Sequence, residues 1–467
     1  MSDPTKWTRR LVLQRGLHLG AMGVAAPLAI NLAAIGEAAA FDSTDYKALV
    51  CIFMYGGNDY SNTVVPYDPA NYALYHQIRA GAAGEDEAGI AIGRANLAAT
   101  ELTPAAGSPP LTDNLQYALS PRLTGLKSLW DQERLAIQLN VGPLVQPTTL
   151  AQYQSTNRAL NPLPPKLFSH NDQQSVWQSN GVEGSVTGWG GRIGDLALSS
   201  NAPRSLLTCI SASGNAVFVA GRDALQYQIS PAGAIKINAL NNNALRTAIT
   251  ALVTRQSAHV LEREYVAVTQ RSMDMESVVN TALAGVTMNT AFPANNGLAS
   301  QMRIVARLIG ARAALGVHRQ VFFVSMGGFD NHNLLMQDHP NLMQRLNDAM
   351  SAFYAATVEL GVADKVTSFT ASDFGRTLSS NADGSDHGWG GQHFVMGGAV
   401  QGRRFYGVAP RVSIQTPDQV GQGRLLPSTS VDVFSATLAR WFGCNTNELP
   451  GILPNIGNFT VPPTGFV

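Results

Sequence analysis

Residues 366–398 read VTSFTASDFGRTLSSNADGSDHGWGGQHFVMGG. The stretch opens with β-formers over 366–370, breaks at Ser372-Asp373-Phe374-Gly375-Arg376, and continues as a polar, glycine-studded loop carrying Asp383, Asp386 and His387. His393 then leads into a second strand-like run, Phe394-Val395-Met396, that stops at Gly397-Gly398. Acid and imidazole side chains gathered on loops after buried strands are how open α/β sheets build ligand sites.

Upstream, residues 320–326 (QVFFVSM) read as a buried strand ending in GGFDNH at 327–332. The spacing predicts a helix over 340–360, with Leu342, Leu346, Met350, Phe353 and Leu360 on its apolar side. Strand, helix and strand of these lengths make a parallel crossover, which sets Asp330 and His332 at the sheet edge where Asp373 lies. Further back, residues 47–55 (KALVCIFMY) form a continuous apolar run, the pattern of a strand buried on both faces. It ends in GGNDYSNT (56–63), so Asp59, Ser61, Asn62 and Thr63 follow a central strand. The plainer reading of that loop is Asp59 and Asn62 bonding their own backbone. A helix over 121–132 capped by Ser120 and a strand over 135–139 complete a β-α-β start. Residues 206–238 look strand-rich and irregular, 241–284 carry a long helical pattern, and 298–315 a further amphipathic helix. The section of about 206–300 reads as a helical insertion or cap over the sheet. His170, in SHNDQQ (169–174), either faces the pocket or is an ordinary loop histidine.

The chain has 467 residues, 45% hydrophobic and 14% charged, with a formal net charge of zero. It is long enough for a large core, and it lacks the basic bias of a nucleic-acid binder. The 44 glycines and 24 prolines are dispersed as loops between elements. The three cysteines (Cys51, Cys209, Cys444) form no CxxC pair, which argues against a zinc–thiolate site while leaving one disulfide open. No Walker-type phosphate loop is present.

At the N-terminus, Arg9-Arg10 precede a mildly apolar segment over 17–35 and then Ala38-Ala39-Ala40. Residues 1–40 read as a twin-arginine signal with cleavage after Ala40, and Pro27, Asn31 and several glycines weigh against a permanent membrane span. The expectation is a protein exported folded by the twin-arginine translocase to the periplasm or beyond.

The polar residues just beyond expected strand ends are Asp59, Asp330, His332, Asp373, Asp386, His387 and His393. Carboxylates plus imidazoles without thiolates suit one or two divalent cations, with zinc, manganese and calcium as candidates. The pieces GGNDYSNTVVPY (56–67), GWGGR (188–192), GGFDNH (327–332), TASDFGR (370–376), DHGWGGQHFVMGGAVQGRRFYG (386–407), LARWFG (438–443) and LPNIGNF (453–459) resemble the exported bacterial family catalogued as domain of unknown function 1501.

That family looks like a branch of the alkaline phosphatase and sulfatase superfamily. The resemblance implies a three-layer α/β/α sandwich with a mostly parallel sheet, as a single domain over 41–467. It also implies metal ligands at one sheet edge: Asp59 after the first strand, Asp330 and His332 in the middle motif, and His387 or His393 as the late histidine. Phe374 stands where many relatives have histidine, and Asp386 with His387 are candidates to replace the missing ligand. The nucleophile would be Thr63 or Ser61, with Arg376 or Arg192 neutralising the ester's oxygens. No cysteine has the setting of a sulfatase nucleophile. The expected activity is metal-dependent hydrolysis of phosphate or sulfate esters. The alternative is a non-catalytic exported binding protein, with Trp189 and Trp389 as contacts to a polymer or partner.

Overall fold

A computed structural model describes residues 41–467 apart from 42, 81–88, 182, 235–246, 248–250, 252–259 and 461–464. The segment read as an export signal lies outside the described residues, as does part of the helical pattern over 241–284. In chain order the elements used below are β1 (Lys47–Met54), α1 (Pro69–Arg79), α2 (Thr124–Asp131), β2 (Leu135–Gly142), α3 (His170–Ser179), α4 (Trp189–Ala197), β3 (Cys209–Ser211), β4 (Gln226–Ser230) and β5 (Gly233–Ala234). There follow α5 (Val260–Ala284), α6 (Gly297–Gly310), β6 (Arg319–Met326), α7 (Leu335–Glu359), β7 (Val366–Ser372), β8 (Gly391–Gly397), β9 (Phe405–Tyr406), β10 (Thr429–Ser430) and α8 (Val431–Phe442).

The apolar run of β1 lies at the centre because both its faces must be covered. Ala48, Val50, Ile52 and Met54 face one core, where α2, α6 and α7 pack; Leu49, Cys51 and Phe53 face the other, beneath α3, α4 and α8. This is the three-layer α/β/α sandwich. The sheet order is β9-β2-β8-β7-β1-β6-β3-β4-β5, with β10 also pairing β2. β1 is parallel to both β6 and β7, while β8 runs antiparallel between β7 and β2. β1 and β2 are therefore not neighbours: β7 and β8 lie between them. Part of the stretch expected as a helical cap is sheet, since β3 pairs in parallel with β6 and β4 with β3.

Two helix starts differ from the sequence reading, for one reason. Helix α2 begins at Thr124 instead of 121, because the side chain of Asn347 on α7 accepts from the Gly125 and Leu126 amides (2.8 and 3.0 Å). Helix α7 begins at Leu335 and carries Pro340 inside it. Asp383 of the long 373–390 loop accepts the amides of Leu334, at its carboxylate, and Leu335, at its carbonyl (both 3.0 Å). Tertiary acceptors here satisfy donors that a local cap would otherwise have to hold. Cys51, Cys209 and Cys444 are buried and unpaired. Among the described residues, no helix is long and apolar enough to cross a membrane.

The ends of β1, β6 and β7 meet tightly. Gly56, at φ +118°, passes so close to the β6 loop that a Cβ there would stand 2.4 Å from the Asp330 amide nitrogen. Gly56→Ala is expected to lower unfolding free energy by about 1–3 kcal/mol, read by urea denaturation; an unchanged midpoint would contradict this account of the junction.

Candidate metal centre

The loops after β6 and β7 and the start of α3 bring His170, Asp330, His332, Asp373, Asp386 and His387 together. His170 is the first residue of α3, and Gln174 lies one turn further along the same face. His170 Nδ1 donates to Asp373 Oδ2 at 2.6 Å, Gln174 Nε2 donates to the same oxygen at 2.9 Å, and the Gly56 amide adds a third bond at 3.1 Å. Asp373 is fully buried, and these bonds tie the ends of β1 and β7 to α3. His387 Nδ1 donates to the Phe168 carbonyl at 2.7 Å. Both rings thus have their Nδ1 proton engaged, which leaves Nε2 as the lone-pair nitrogen.

Those Nε2 atoms converge on Asp330. His170 Nε2 lies 3.4 Å from Asp330 Oδ2, without hydrogen-bond geometry, and His387 Nε2 lies 3.2 Å from Asp330 Oδ1. His332 Nε2 is 3.2 Å from that same Oδ1 and 2.8 Å from His387 Nε2, while its Nδ1 is 3.4 Å from Asp386 Oδ1. Neighbouring ligands around a tetrahedral zinc ion stand about 3.3 Å apart, given bonds of about 2.0–2.1 Å. The donor atoms of His170, Asp330 and His387 all lie within 4.8 Å of one another. Two atoms in this group, His170 Nε2 and Asp373 Oδ1, are buried without a hydrogen-bond partner. An orphaned lone pair aimed into a cluster of other donors is what a cation would satisfy. The residues therefore fit a divalent ion.

The electrostatics of the two rings differ. The Asp373 bond raises the His170 pKa above its ordinary value against the opposing effect of burial. Burial, helped by the charges of His170 and Arg376, holds the His387 pKa down, which favours the neutral ring a metal needs. Burial works against ionisation of Asp330, but the Arg376 hydrogen bond and charge, with His170 and His332, outweigh it and keep the carboxyl below the usual range.

Other expected site residues lie elsewhere. Asp59 is fully buried and salt-bridged to Arg79 of α1, itself fully buried; its other oxygen accepts the Ser61 amide at 3.2 Å. Thr63 Oγ1 donates to the Asp59 carbonyl (2.8 Å) and accepts from Asn58 Nδ2 (2.9 Å), and Ser61 is equally buried. No contact joins either hydroxyl to the histidine cluster. His393 sits on β8 inside the sandwich, against Trp177 (4.7 Å between ring centroids) and 3.3 Å from Thr370 Oγ1. Its strand position turns it into the core beneath α3, away from the loop ligands. Arg376 donates to Ser385, to the Gly56 carbonyl (3.0 Å) and to Asp330 Oδ1 (3.0 Å), which consumes its guanidinium in bracing the loop. Arg192 is likewise held by the carbonyls of Ile452, Thr187 and Ser179.

Trp389 is buried with its indole N–H on the Pro143 carbonyl, and Trp189 bonds the Trp177 carbonyl. Phe374, at the position lacking histidine, packs under the site instead, 5.0 Å from the His170 ring and 4.6 Å from the His387 ring. The residue missing from the sequence-derived ligand set is His170, with Gln174 behind it. Their spacing of four on one helix face was a usable signal; the contact to Asp373, 203 positions away, was not.

The family model described as protein of unknown function (DUF1501) matches residues 46–449. No curated protein matches the chain. Similar solved structures include the PsFucS1 sulfatase from Pseudoalteromonas sp., at 11% identity, covering 87% of this chain and 69% of that one with a TM-score of 0.34. Another is the lipoteichoic acid synthase LtaP from Listeria monocytogenes, at 8% identity, 87% and 74% coverage and a TM-score of 0.35. At these scores the likeness says nothing about chemistry.

Two buried histidines outside the cluster set an acid limit. Burial depresses the pKa of His339 to about 4 and of His393 to about 3, against an unfolded value of about 6.5. Below about pH 6.5 the unfolded chain binds protons that the folded chain refuses, so stability should fall as pH drops from about 6.5 toward those values. His393→Leu should flatten part of that slope in urea titrations between pH 7 and 5; an unaltered slope would contradict the assignment.

Proposed function

The chain belongs to the DUF1501 family of proteins of unknown function, and on the geometry of its site we propose that it is an exported, metal-dependent hydrolase of phosphate or sulfate esters. The observation that carries this reading is the convergence of His170, His387 and Asp330 on one point, with both imidazoles oriented by outside hydrogen bonds. His170, Asp330 and His387 would hold the ion, with His332 beside them and Asp386 and Asp373 behind. A divalent cation there would supply Lewis-acid polarisation of an ester oxygen and activation of water.

The chain's own residues define the rest. Asp373 and the Phe168 carbonyl fix the tautomers of the two ligand rings, and Arg376 orients Asp330. Because Thr63 and Ser61 are buried in the β1 loop, water is the nucleophile this arrangement favours over a side-chain hydroxyl. Asp59 is neutralised by Arg79, which supports one ion in place of two. Export through the twin-arginine translocase, with the site already loaded, remains part of the proposal. The second reading, a metal-holding protein that binds without cleaving, is favoured by the same lack of a poised hydroxyl at the cluster.

Elemental analysis of purified protein should give about one equivalent of zinc or manganese per chain. The ion should be lost in His387→Ala, and Asp373→Asn should weaken its affinity about 10–100-fold, because a neutral amide is a weaker acceptor of the His170 Nδ1 proton than the carboxylate. Thr63→Val and His393→Leu should keep the ion. Zinc retained in His387→Ala would remove the site. A loaded protein inert toward a panel of phosphate and sulfate monoesters would leave the binding reading in front.

A further inference from the structure

Resting on that hydrolase reading, we propose that Arg424 is the residue that binds the non-bridging oxygens of the tetrahedral oxyanion. The arginines closer in sequence to the motifs are spent. Arg376 is fully buried and engaged with Ser385, Gly56 and Asp330, and Arg192 donates to the carbonyls of Ile452, Thr187 and Ser179. Arg79 is closed off with Asp59. None of the three can turn toward an ester without breaking buried bonds.

Arg424 differs in each respect. It is only part-buried, and among the described residues no carboxylate lies within ion-pair distance of it. Its Nε donates to the His387 carbonyl at 2.7 Å, and its guanidinium carbon lies 5.4 Å from the centroid of the Phe168 ring. Those are the two residues whose side chain and carbonyl meet in the His387 Nδ1 bond. The cation is thus anchored to the same pair that orients a metal ligand, while among the described residues Nη2 has no partner and Nη1 has only a long contact to the Gly421 carbonyl at 3.5 Å. A guanidinium held at Nε, with its Nη edge open, presents the two-pronged donor that a phosphate or sulfate accepts.

The test is calorimetric titration of zinc-loaded protein with inorganic phosphate and, separately, with sulfate. Arg424→Gln should weaken binding of the preferred anion about tenfold or more, with zinc content unchanged. Arg424→Lys should recover only part, because a point charge replaces the fork. Arg158→Gln, whose donors already go to the Gln152 and Tyr153 carbonyls, should bind like the parent. Equal affinity in parent and Arg424→Gln, or no binding of either anion to the loaded parent, overturns the assignment. Zinc content read on the same samples separates this outcome from failure of the metal site: a parent without zinc defeats the hydrolase reading, whereas a loaded parent with an indifferent Arg424→Gln defeats only the role of Arg424.

Discussion

The carboxylate of Asp373 is the point on which the arrangement depends. It lies at the end of β7, closed to solvent, and one of its oxygens accepts from His170, Gln174 and the Gly56 amide. A buried carboxylate is tolerable only with such partners, because removing them would leave a desolvated charge. The same bonds fasten the start of α3 to the turns after β1 and β7, which a β-bridge between Asn58 and Gly375 already ties to each other. Placing the ligand rings and closing this edge of the sheet are therefore one event. Its other oxygen is buried without a hydrogen-bond partner.

Beneath this lies a second buried charge pair, Asp59 with Arg79, which fixes the first loop to α1. Arg79 also donates to the carbonyls of Leu378 and Ile90, so the pair is satisfied on all sides. It carries permanent neutrality where a carboxylate alone would have invited a cation. The polar residues at the strand ends consequently divide into two systems, one closed around an internal charge pair and one with open lone pairs. Only the second has chemistry left to do.

Much of this was legible in the sequence. Two strands were visible as apolar runs at 47–55 and 320–326 and a third as β-formers at 366–370, and the glycines after them marked the loops that carry Asp330, His332, Asp373, Asp386 and His387. Those readings depend on local pattern, which survives folding. The failures share a different cause. His393 looked like a ligand by proximity to the loop, but its place on a strand turned it into the core. Asp59 looked available because nothing in 56–63 announces that Arg79 will meet it. His170 stayed undecided between the pocket and an ordinary loop because its partner lies 203 residues downstream. Pairings between distant segments leave no trace in a single chain's spacing, and they decide which of several candidate ligands converge.

The most direct test of this account is an anomalous-scattering map of crystals of the zinc-loaded protein. A single peak is predicted within about 2.0–2.2 Å of His170 Nε2, His387 Nε2 and an Asp330 oxygen. A peak whose ligands exclude His170, or zinc bound at Asp59 or His393 instead, would contradict it.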